Sequence, residues 1–231
     1  EGAASAALVV AGIRLAEPTG YGRLVVDGSG PLEEIVECPD ATPEQKKLTL
    51  CNAGVMAVSG RHLFSLLAKL SSSNAASEFY LTDLAGLADE QGLHCHVVET
   101  GAEEMLGVNS RLQLAEAARV MQQRLRRRAM EQGATLVDPL SVTLAMDTQF
   151  GRDVVIYPQV VFGPGVSVGD NVEIRSFSHI EGAQIEKGAV IGPFARIRPG
   201  SRIGEGAHVG NFVELKKTSL GKGAKANHLS Y

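Results

Sequence analysis

Residues 189–215 read AVIGPF ARIRPG SRIGEG AHVGNF VEL when they are divided into groups of six. In each group the third residue is aliphatic and the first is Ala, Ser or Val. An α-helix cannot keep a six-residue period on one face, and a simple strand has a period of two. A six-residue unit fits one side of a triangular coil, so the repeat predicts a left-handed parallel β-helix whose stacked coils bury one core. With two steps of five residues, the repeat covers the anchors Ile156, Phe162, Val168, Ile174, Ile180, Ile185, Ile191, Ile197, Ile203, Val209, Leu215, Leu220 and Ala226.

The repeat also predicts which residues lie above one another. Arg198 and Lys216 are 18 residues apart, which is three units or one full coil. On adjacent coils, at a strand spacing of roughly 4.8 Å, these two cations would repel each other. Two interpretations remain open: solvated side chains that splay apart, or an anion site that holds a phosphate between them.

Composition indicates a protein of two modest domains. The chain has 231 residues and a net charge of −4, which gives no electrostatic reason to expect a nucleic-acid partner. Its three cysteines, Cys38, Cys51 and Cys95, have no metal-ligand spacing and argue for a reducing, cytoplasmic location rather than a disulfide framework. No segment is apolar enough to cross a membrane, so we expect no membrane partner.

The remaining sequence divides into three parts. Residues 1–109 alternate between strands, predicted at 7–13, 23–26, 48–58 and 94–99, and helices, predicted at 60–70 and 80–90. In the second helix we expect Thr82 to be the N-cap. Residues 110–133 read as a long linker helix that Gly133 ends, and residues 134–231 read as the β-helix.

Seven motifs follow one another along the chain, four before the long helix and three after it. They are GYGR at 20–23, IVE at 35–37, CNAG at 51–54, GVNSR at 107–111, IGPFARIRPG at 191–200, GNFVELKK at 210–217 and KANHLSY at 225–231. Together these motifs resemble the bacterial bifunctional UDP-N-acetylglucosamine pyrophosphorylase / glucosamine-1-phosphate N-acetyltransferases, and the order of both sets makes the resemblance specific. The resemblance covers essentially the whole chain and implies a partial α/β nucleotidyltransferase (Rossmann-like) domain, a linker helix and a truncated left-handed β-helix.

This resemblance implies two reactions that supply peptidoglycan, lipopolysaccharide and other envelope precursors. The solenoid would transfer acetyl from acetyl-CoA to glucosamine-1-phosphate. The α/β domain would then couple N-acetylglucosamine-1-phosphate to UTP with the help of Mg²⁺, releasing pyrophosphate. The resemblance also implies a homotrimer.

Residues of the α/β domain match the family's sugar and metal contacts. Gly22, Glu37 and Asn52 match residues that bind the N-acetylglucosamine moiety. Asn109 matches a substrate-binding residue that also ligates Mg²⁺ through its side-chain oxygen, a suitable ligand for a hard cation.

Residues of the solenoid match the family's acetyltransferase site. Arg198 and Lys216 match residues that bind the sugar phosphate, and Tyr231 matches a substrate-binding tyrosine. His228 matches the general base, a role that suits an imidazole because it titrates near neutrality.

The sequence departs from the family pattern in what it lacks. The Gly-rich UTP loop of the type G-x-G-T-R is absent, as are the aspartate that shares Mg²⁺ with Asn109 and the coils that carry the acetyl-CoA site. We therefore expect an internal piece of a longer enzyme that by itself has neither activity.

Three alternatives belong to other functional classes. The chain could be a sugar nucleotidyltransferase whose β-helix serves only oligomerisation, although the set Arg198, Lys216 and His228 argues against this. The solenoid could also be a purely structural or binding scaffold. A hexapeptide-repeat carbonic anhydrase is a weaker alternative, because the required trio of zinc-binding histidines is not evident.

Overall fold

The chain forms two compact units that divide after Ala117, as seen in a computed structural model that describes residues 6–28 and 30–230. The first unit contains one sheet in the strand order β3-β2-β4-β1-β5. Pairing in this sheet is antiparallel except between β1 and β5, which run parallel. Its strands are β1 Leu8–Arg14, β2 Arg23–Val26, β3 Leu32–Val36, β4 Leu50–Val58 and β5 Cys95–Glu99, and its helices before the division are α1 Gly60–Leu67 and α2 Leu84–Asp89.

The four predicted strands of this unit are observed within two residues of their predicted bounds. Strand β3 was not predicted, because the adjacent acids Glu33 and Glu34 interrupt its apolar alternation. It forms because Leu32 and Ile35 are buried in the same core as the apolar face of α2. Burial of each large aliphatic side chain stabilises such a core by roughly 1.5–3 kcal/mol.

The predicted helix at 80–90 is instead a 3₁₀ turn, Leu81–Asp83, followed by α2. Thr82 is not the N-cap, so that prediction was wrong. The extended backbone residue before the turn is Tyr80, and Thr82 lies inside the turn with its side chain buried. Its hydroxyl donates a hydrogen bond to another element of the unit rather than to the helix backbone.

Helix α3, Arg111–Glu131, crosses the division between the units. It ends two residues before Gly133, whose φ of +103° is left-handed and suits a residue that follows a helix. The predicted apolar stripe is only partly buried: Val120 and Leu125 are buried, whereas Leu112 is 82% exposed. The second half of the helix binds the first coil of the solenoid, where the Gln122 side chain both donates to and accepts from the Leu144 backbone.

Among the described residues, no helix is long and apolar enough to cross a membrane.

The second unit is a parallel solenoid with three sheets, which matches the predicted left-handed β-helix. Sheet I contains β6 Thr135–Leu136, β8 Val155–Ile156, β11 Glu173–Ile174, β14 Val190–Ile191, β17 His208–Asn211 and β20 Lys225–His228. Sheet II contains β9 Val161–Phe162, β12 His179–Ile180, β15 Arg196–Ile197 and β18 Glu214–Leu215. Sheet III contains β7 Gln149–Phe150, β10 Ser167–Val168, β13 Ala183–Ile185, β16 Ser201–Ile203 and β19 Ser219–Leu220.

Most of the solenoid core consists of the repeat anchors and the small residues two positions before them, and Leu125 and Ala129 of α3 belong to the same core. Ile180, Ile197 and Leu215 stack in register on sheet II, and the two isoleucines are fully buried. Paired residues on these adjacent coils are therefore 17 or 18 positions apart, whereas β6 and β8 at the start of the solenoid pair at an offset of 20. The two five-residue steps, from Ile180 to Ile185 and from Leu215 to Leu220, both connect sheet II to sheet III.

The corner between sheets I and II carries a stack of exposed phenylalanines. Phe177, Phe194 and Phe212 have φ values of 62°, 55° and 54°, the left-handed conformation that bulky residues rarely adopt. Such a conformation costs on the order of 1 kcal/mol or more and persists only where the surroundings fix it. Here consecutive rings are stacked with centroids 4.9 and 5.1 Å apart, so each ring packs against its neighbour one coil away.

We expect Gly210→Ala to destabilise the solenoid by about 3 kcal/mol, because the stacked coils leave no room for a methyl group. A Cβ at this position would lie 1.5 Å from the carbonyl oxygen of Asn227 on the next coil. The measurement is the free energy of unfolding of the solenoid from a urea titration. Gly221→Ala is the matched control, since a Cβ there meets no atom within 4 Å. Equal stability of the two variants would contradict the described coil packing.

Candidate functional site

The two predicted phosphate-binding cations lie on adjacent coils. Arg198 follows β15 and Lys216 follows β18, and these strands pair with Ile197 opposite Leu215. The backbone N–H of Arg198 donates to the carbonyl of Leu215 at 2.8 Å. The two side chains therefore leave equivalent positions of neighbouring coils at the same edge of sheet II.

A carboxylate that sequence analysis overlooked lies beside this pair. Glu214 Oε1 accepts a hydrogen bond from Arg198 Nη1 at 2.8 Å, whereas Lys216 forms no ion pair within the described part of the chain. Both partners of the ion pair are about 40% exposed, so it stabilises the fold by at most about 1 kcal/mol. Its main effect is to orient the guanidinium of Arg198. The signal was present in the motif GNFVELKK, in which Glu214 directly precedes the repeat anchor.

A second arginine adds positive charge next to the same carboxylate. Arg196 lies directly opposite Glu214 in the sheet, and its Nη1 is 2.8 Å from Nδ1 of His179 on the other side. Burial, and then the nearby Arg196 charge, lower the pKa of His179. The lowered pKa favours the neutral imidazole, whose Nδ1 can accept the hydrogen bond from Arg196.

His228, the predicted general base, lies on a different sheet from the two cations. It ends β20 of sheet I, opposite Asn211, and its side chain is exposed. Two residues later the chain reaches sheet II, where the carbonyl of Ser230 accepts a hydrogen bond from the backbone N–H of Glu214 at 2.8 Å. Tyr231, the predicted substrate-binding tyrosine, lies outside the described residues.

A cavity of about 470 Å³ lies along the coil that carries Lys216. The surface of this cavity is mainly apolar, although four of its five lining residues carry polar or charged side chains. Arg198 does not line this cavity, but its guanidinium is paired with Glu214, which does. The lining residues are Glu214, Leu215, Lys216, Thr218 and Ser230.

In the first unit, three of the predicted sugar-binding residues converge. Gly22 immediately precedes β2, Glu37 immediately follows β3, and Asn52 belongs to β4. A Cβ on Gly22 would lie 3.4 Å from Glu37 Oε2 and 3.6 Å from Asn52 Cβ. The backbone N–H of Asn52 also donates to the Gly22 carbonyl at 2.9 Å. The sheet thus brings together residues that are 15 and 30 positions from Gly22 in the sequence.

The polar atoms of this trio are only partly used by the protein. Asn52 Oδ1 accepts from the backbone N–H of Gly54 at 2.9 Å, and its amide nitrogen makes no hydrogen bond within the described residues. Glu37 Oε1 accepts from the Thr82 hydroxyl at 3.0 Å, which leaves Oε2 beside Gly22. A donor and an acceptor therefore flank the buried Gly22, whose lack of a side chain lets Glu37 and Asn52 lie close to its backbone.

A buried arginine fixes the backbone next to Gly22. Arg23 is 2% exposed, and its guanidinium donates to the carbonyls of Tyr21 and Lys46. Its Nε has no hydrogen-bond partner among the described residues. Sequence analysis included Arg23 only as part of a motif and missed this contact, since strand alternation does not reveal which loops a long side chain reaches.

Asn109, the predicted Mg²⁺ ligand, lies in the loop before α3 and no hydrogen bond among the described residues joins it to the trio. Its backbone N–H donates to Gln113 Oε1 at 2.7 Å, and its exposed side chain leaves the amide oxygen available to a cation. The loop passes near the trio at Gly107, where a Cβ would be 3.8 Å from the Tyr21 hydroxyl. No cluster of three or more His, Cys, Asp or Glu side chains in residues 6–28 and 30–230 forms a metal site.

Known proteins resemble this chain at two levels, first in its six-residue repeat and then along nearly its whole length. The profile of the family described as bacterial transferase hexapeptide (six repeats) matches residues 147–182 and 182–217. A solved mutant of GDP-perosamine N-acetyl transferase from Caulobacter crescentus aligns with this chain at 16% identity and a TM-score of 0.32. The alignment covers 62% of this chain and 82% of that chain.

Proteins named "Bifunctional protein GlmU" match the chain along nearly all of its length. The protein from Paramagnetospirillum magneticum is 53% identical over 97% of this chain and 50% of its own length. Those from Bradyrhizobium sp. and Nitrobacter hamburgensis are 54% and 55% identical over 99% of this chain and about half of their own lengths. The chain therefore spans about half the length of these relatives, and over that half it belongs to the family of the bifunctional protein GlmU, as the motifs predict.

Proposed function

We propose that this chain contributes to the two-step synthesis of UDP-N-acetylglucosamine. One observation supports this most strongly: in a GlmU relative, the fold brings matched site residues together in each unit. Gly22, Glu37 and Asn52 converge in the first unit, and Arg198 and Lys216 lie on adjacent coils in the second. The substrates are glucosamine-1-phosphate and acetyl-CoA in the first reaction, and N-acetylglucosamine-1-phosphate and UTP in the second.

In the acetyl-transfer step, Arg198 and Lys216 hold the phosphate of glucosamine-1-phosphate by charge-assisted hydrogen bonds. The ion pair with Glu214 keeps the Arg198 guanidinium in place for this contact. The sugar amine attacks the thioester carbonyl of acetyl-CoA, and His228 accepts the amine proton. A carbon–nitrogen bond forms, the carbon–sulfur bond breaks, and the CoA thiol leaves.

In the uridylyl-transfer step, the first unit binds the acetamido sugar. Glu37 Oε2 accepts from a sugar hydroxyl, the Asn52 amide donates to the sugar, and the Gly22 backbone approaches it closely. The sugar phosphate oxygen then attacks the α-phosphorus of UTP, and the bond to pyrophosphate breaks. Asn109 would hold Mg²⁺ through its side-chain oxygen, and the ion would supply positive charge that neutralises the phosphates.

The assembly and location belong to the same proposal. We propose a cytoplasmic homotrimer that supplies envelope precursors such as those of peptidoglycan and lipopolysaccharide. The outward faces of the solenoid sheets offer flat surfaces for packing between copies. Sedimentation equilibrium measures the assembly directly.

The stacked cations generate the first prediction of this proposal. Arg198→Ala and Lys216→Ala should each weaken binding of glucosamine-1-phosphate at least about tenfold, because each removes a charged phosphate contact. Calorimetry at low and high salt is the measurement, and high salt should weaken binding to the unsubstituted chain. Arg202→Ala is the control, since Arg202 is paired with Glu186 on sheet III. Equal binding by all variants would show that the stack is only a solvated surface.

The role of His228 gives a second prediction. In a complete GlmU protein that contains this sequence, His228→Ala should reduce acetyl transfer by about 10²–10⁴-fold, the usual contribution of a general base. Uridylyl transfer should be unchanged. The two reactions are measured separately, by release of CoA thiol and by release of pyrophosphate. Equal loss of both would indicate that His228 stabilises the fold instead.

The chain alone should catalyse neither reaction, because it spans about half the length of its relatives. A steady-state assay supplied with both sets of substrates and Mg²⁺ tests this. Formation of UDP-N-acetylglucosamine or N-acetylglucosamine-1-phosphate above the rate without protein would contradict it.

A further inference from the structure

Thr82 makes an interaction that its place in the sequence does not explain. It lies in the 3₁₀ turn Leu81–Asp83, is 8% exposed, and donates its hydroxyl to Glu37 Oε1 at 3.0 Å. The two residues are 45 positions apart. A buried hydroxyl that donates to a carboxylate forms one of the stronger hydrogen bonds in a protein, because the acceptor is charged.

This hydrogen bond determines which way the Glu37 carboxylate faces. The terminal torsion of a glutamate has a broad, roughly two-fold preference, so an unheld carboxylate rotates readily. With Oε1 held by Thr82, Oε2 lies 3.4 Å from the position of a Cβ on Gly22. The two carboxylate oxygens therefore differ in role, because Oε1 is fixed by Thr82 and Oε2 lies beside Gly22.

Packing holds both partners at this distance. Glu37 directly follows β3, and one residue separates Thr82 from the start of α2. Strand and helix share a core, in which Leu32 and Ile35 from the strand and Leu84 from the helix are buried. The separation between Thr82 and Glu37 is therefore set by apolar packing. Only the hydrogen bond between the two side chains depends on the Thr82 hydroxyl.

We infer that Thr82 is a positioning residue for recognition of the acetamido sugar, acting through Glu37. This inference rests on the proposed sugar site. Thr82 does not itself contact the ligand; it orients the carboxylate whose free oxygen accepts a hydrogen bond from a sugar hydroxyl. Removing the hydroxyl without changing the shape of the side chain leaves Glu37 to sample orientations that do not bind.

Ligand-observed NMR titration with N-acetylglucosamine-1-phosphate tests the inference, because it measures weak as well as tight binding. We expect Thr82→Val to raise the Kd about tenfold, and Thr82→Ser, which restores the hydroxyl, to return it to within about twofold of the unsubstituted value. Thr100→Val is the matched control, since the buried Thr100 hydroxyl has no hydrogen-bond partner among the described residues. The control should bind like the unsubstituted chain.

A double-mutant cycle with Glu37→Gln separates positioning from general stability. If Thr82 acts through Glu37, Thr82→Val should weaken binding little further once Glu37 is replaced. Two outcomes would overturn the role of Thr82 and leave the sugar site intact. In one, Thr82→Val weakens binding equally whether residue 37 is Glu or Gln. In the other, Thr82→Val has no effect in either background, although Glu37→Gln itself weakens binding. If the unsubstituted chain shows no binding and Glu37→Gln changes nothing, the sugar site itself is wrong and the inference fails with it.

Discussion

The hydrogen bonding between successive coils is the constraint on which the solenoid and its site depend. Apart from β6, which pairs with β8 at an offset of 20, paired strands are 17 or 18 residues apart, so an outward side chain on an inner coil has a fixed neighbour above and below. Aliphatic anchors fill the interior. Equivalent outward positions on successive coils form columns, and each coil contributes one side chain to each column. Arg198 and Lys216 are neighbours for this reason, and so are Arg196 and Glu214. The phenylalanine stack at the corner between sheets I and II uses the same spacing to support a backbone conformation that isolated phenylalanines avoid.

The first unit also brings together residues that are far apart in the sequence, but through an antiparallel sheet instead of stacked coils. Its sugar-binding candidates come from the ends of β2 and β3 and from β4, and antiparallel pairing brings them to one place. Around them lies a layer of groups without direct ligand contact: Arg23 holds the Tyr21 carbonyl, and Thr82 holds one Glu37 oxygen. In both units a charged group is oriented by a second residue, Arg198 by Glu214 and Glu37 by Thr82. Orienting a charge in advance lowers the entropic cost of binding a ligand.

Sequence alone revealed the features that repeat and missed those that depend on a single tertiary contact. The solenoid was predictable because every anchor must reach the core, and the arithmetic of one coil placed Arg198 beside Lys216. The same arithmetic did not reveal the contact of Glu214 with Arg198, because two oppositely charged exposed residues 16 positions apart carry no periodic signal. Thr82 was assigned to a helix cap for the same reason, since its real partner is 45 residues away. Strand β3 was missed because adjacent glutamates hide its alternation.

The short steps of the repeat have a consequence for how such a chain can change its length in evolution. Both five-residue units lie where sheet II turns into sheet III. The anchors on either side of them remain paired, and all of them except the half-buried Leu220 are buried. That corner therefore absorbs the loss of a residue, whereas a deletion within a two-residue strand would turn an anchor toward solvent. Insertions and deletions among descendants of this solenoid should therefore accumulate at its corners. Charged residues such as Arg198 and Lys216 should remain neighbours on adjacent coils even where the lengths of the coils change.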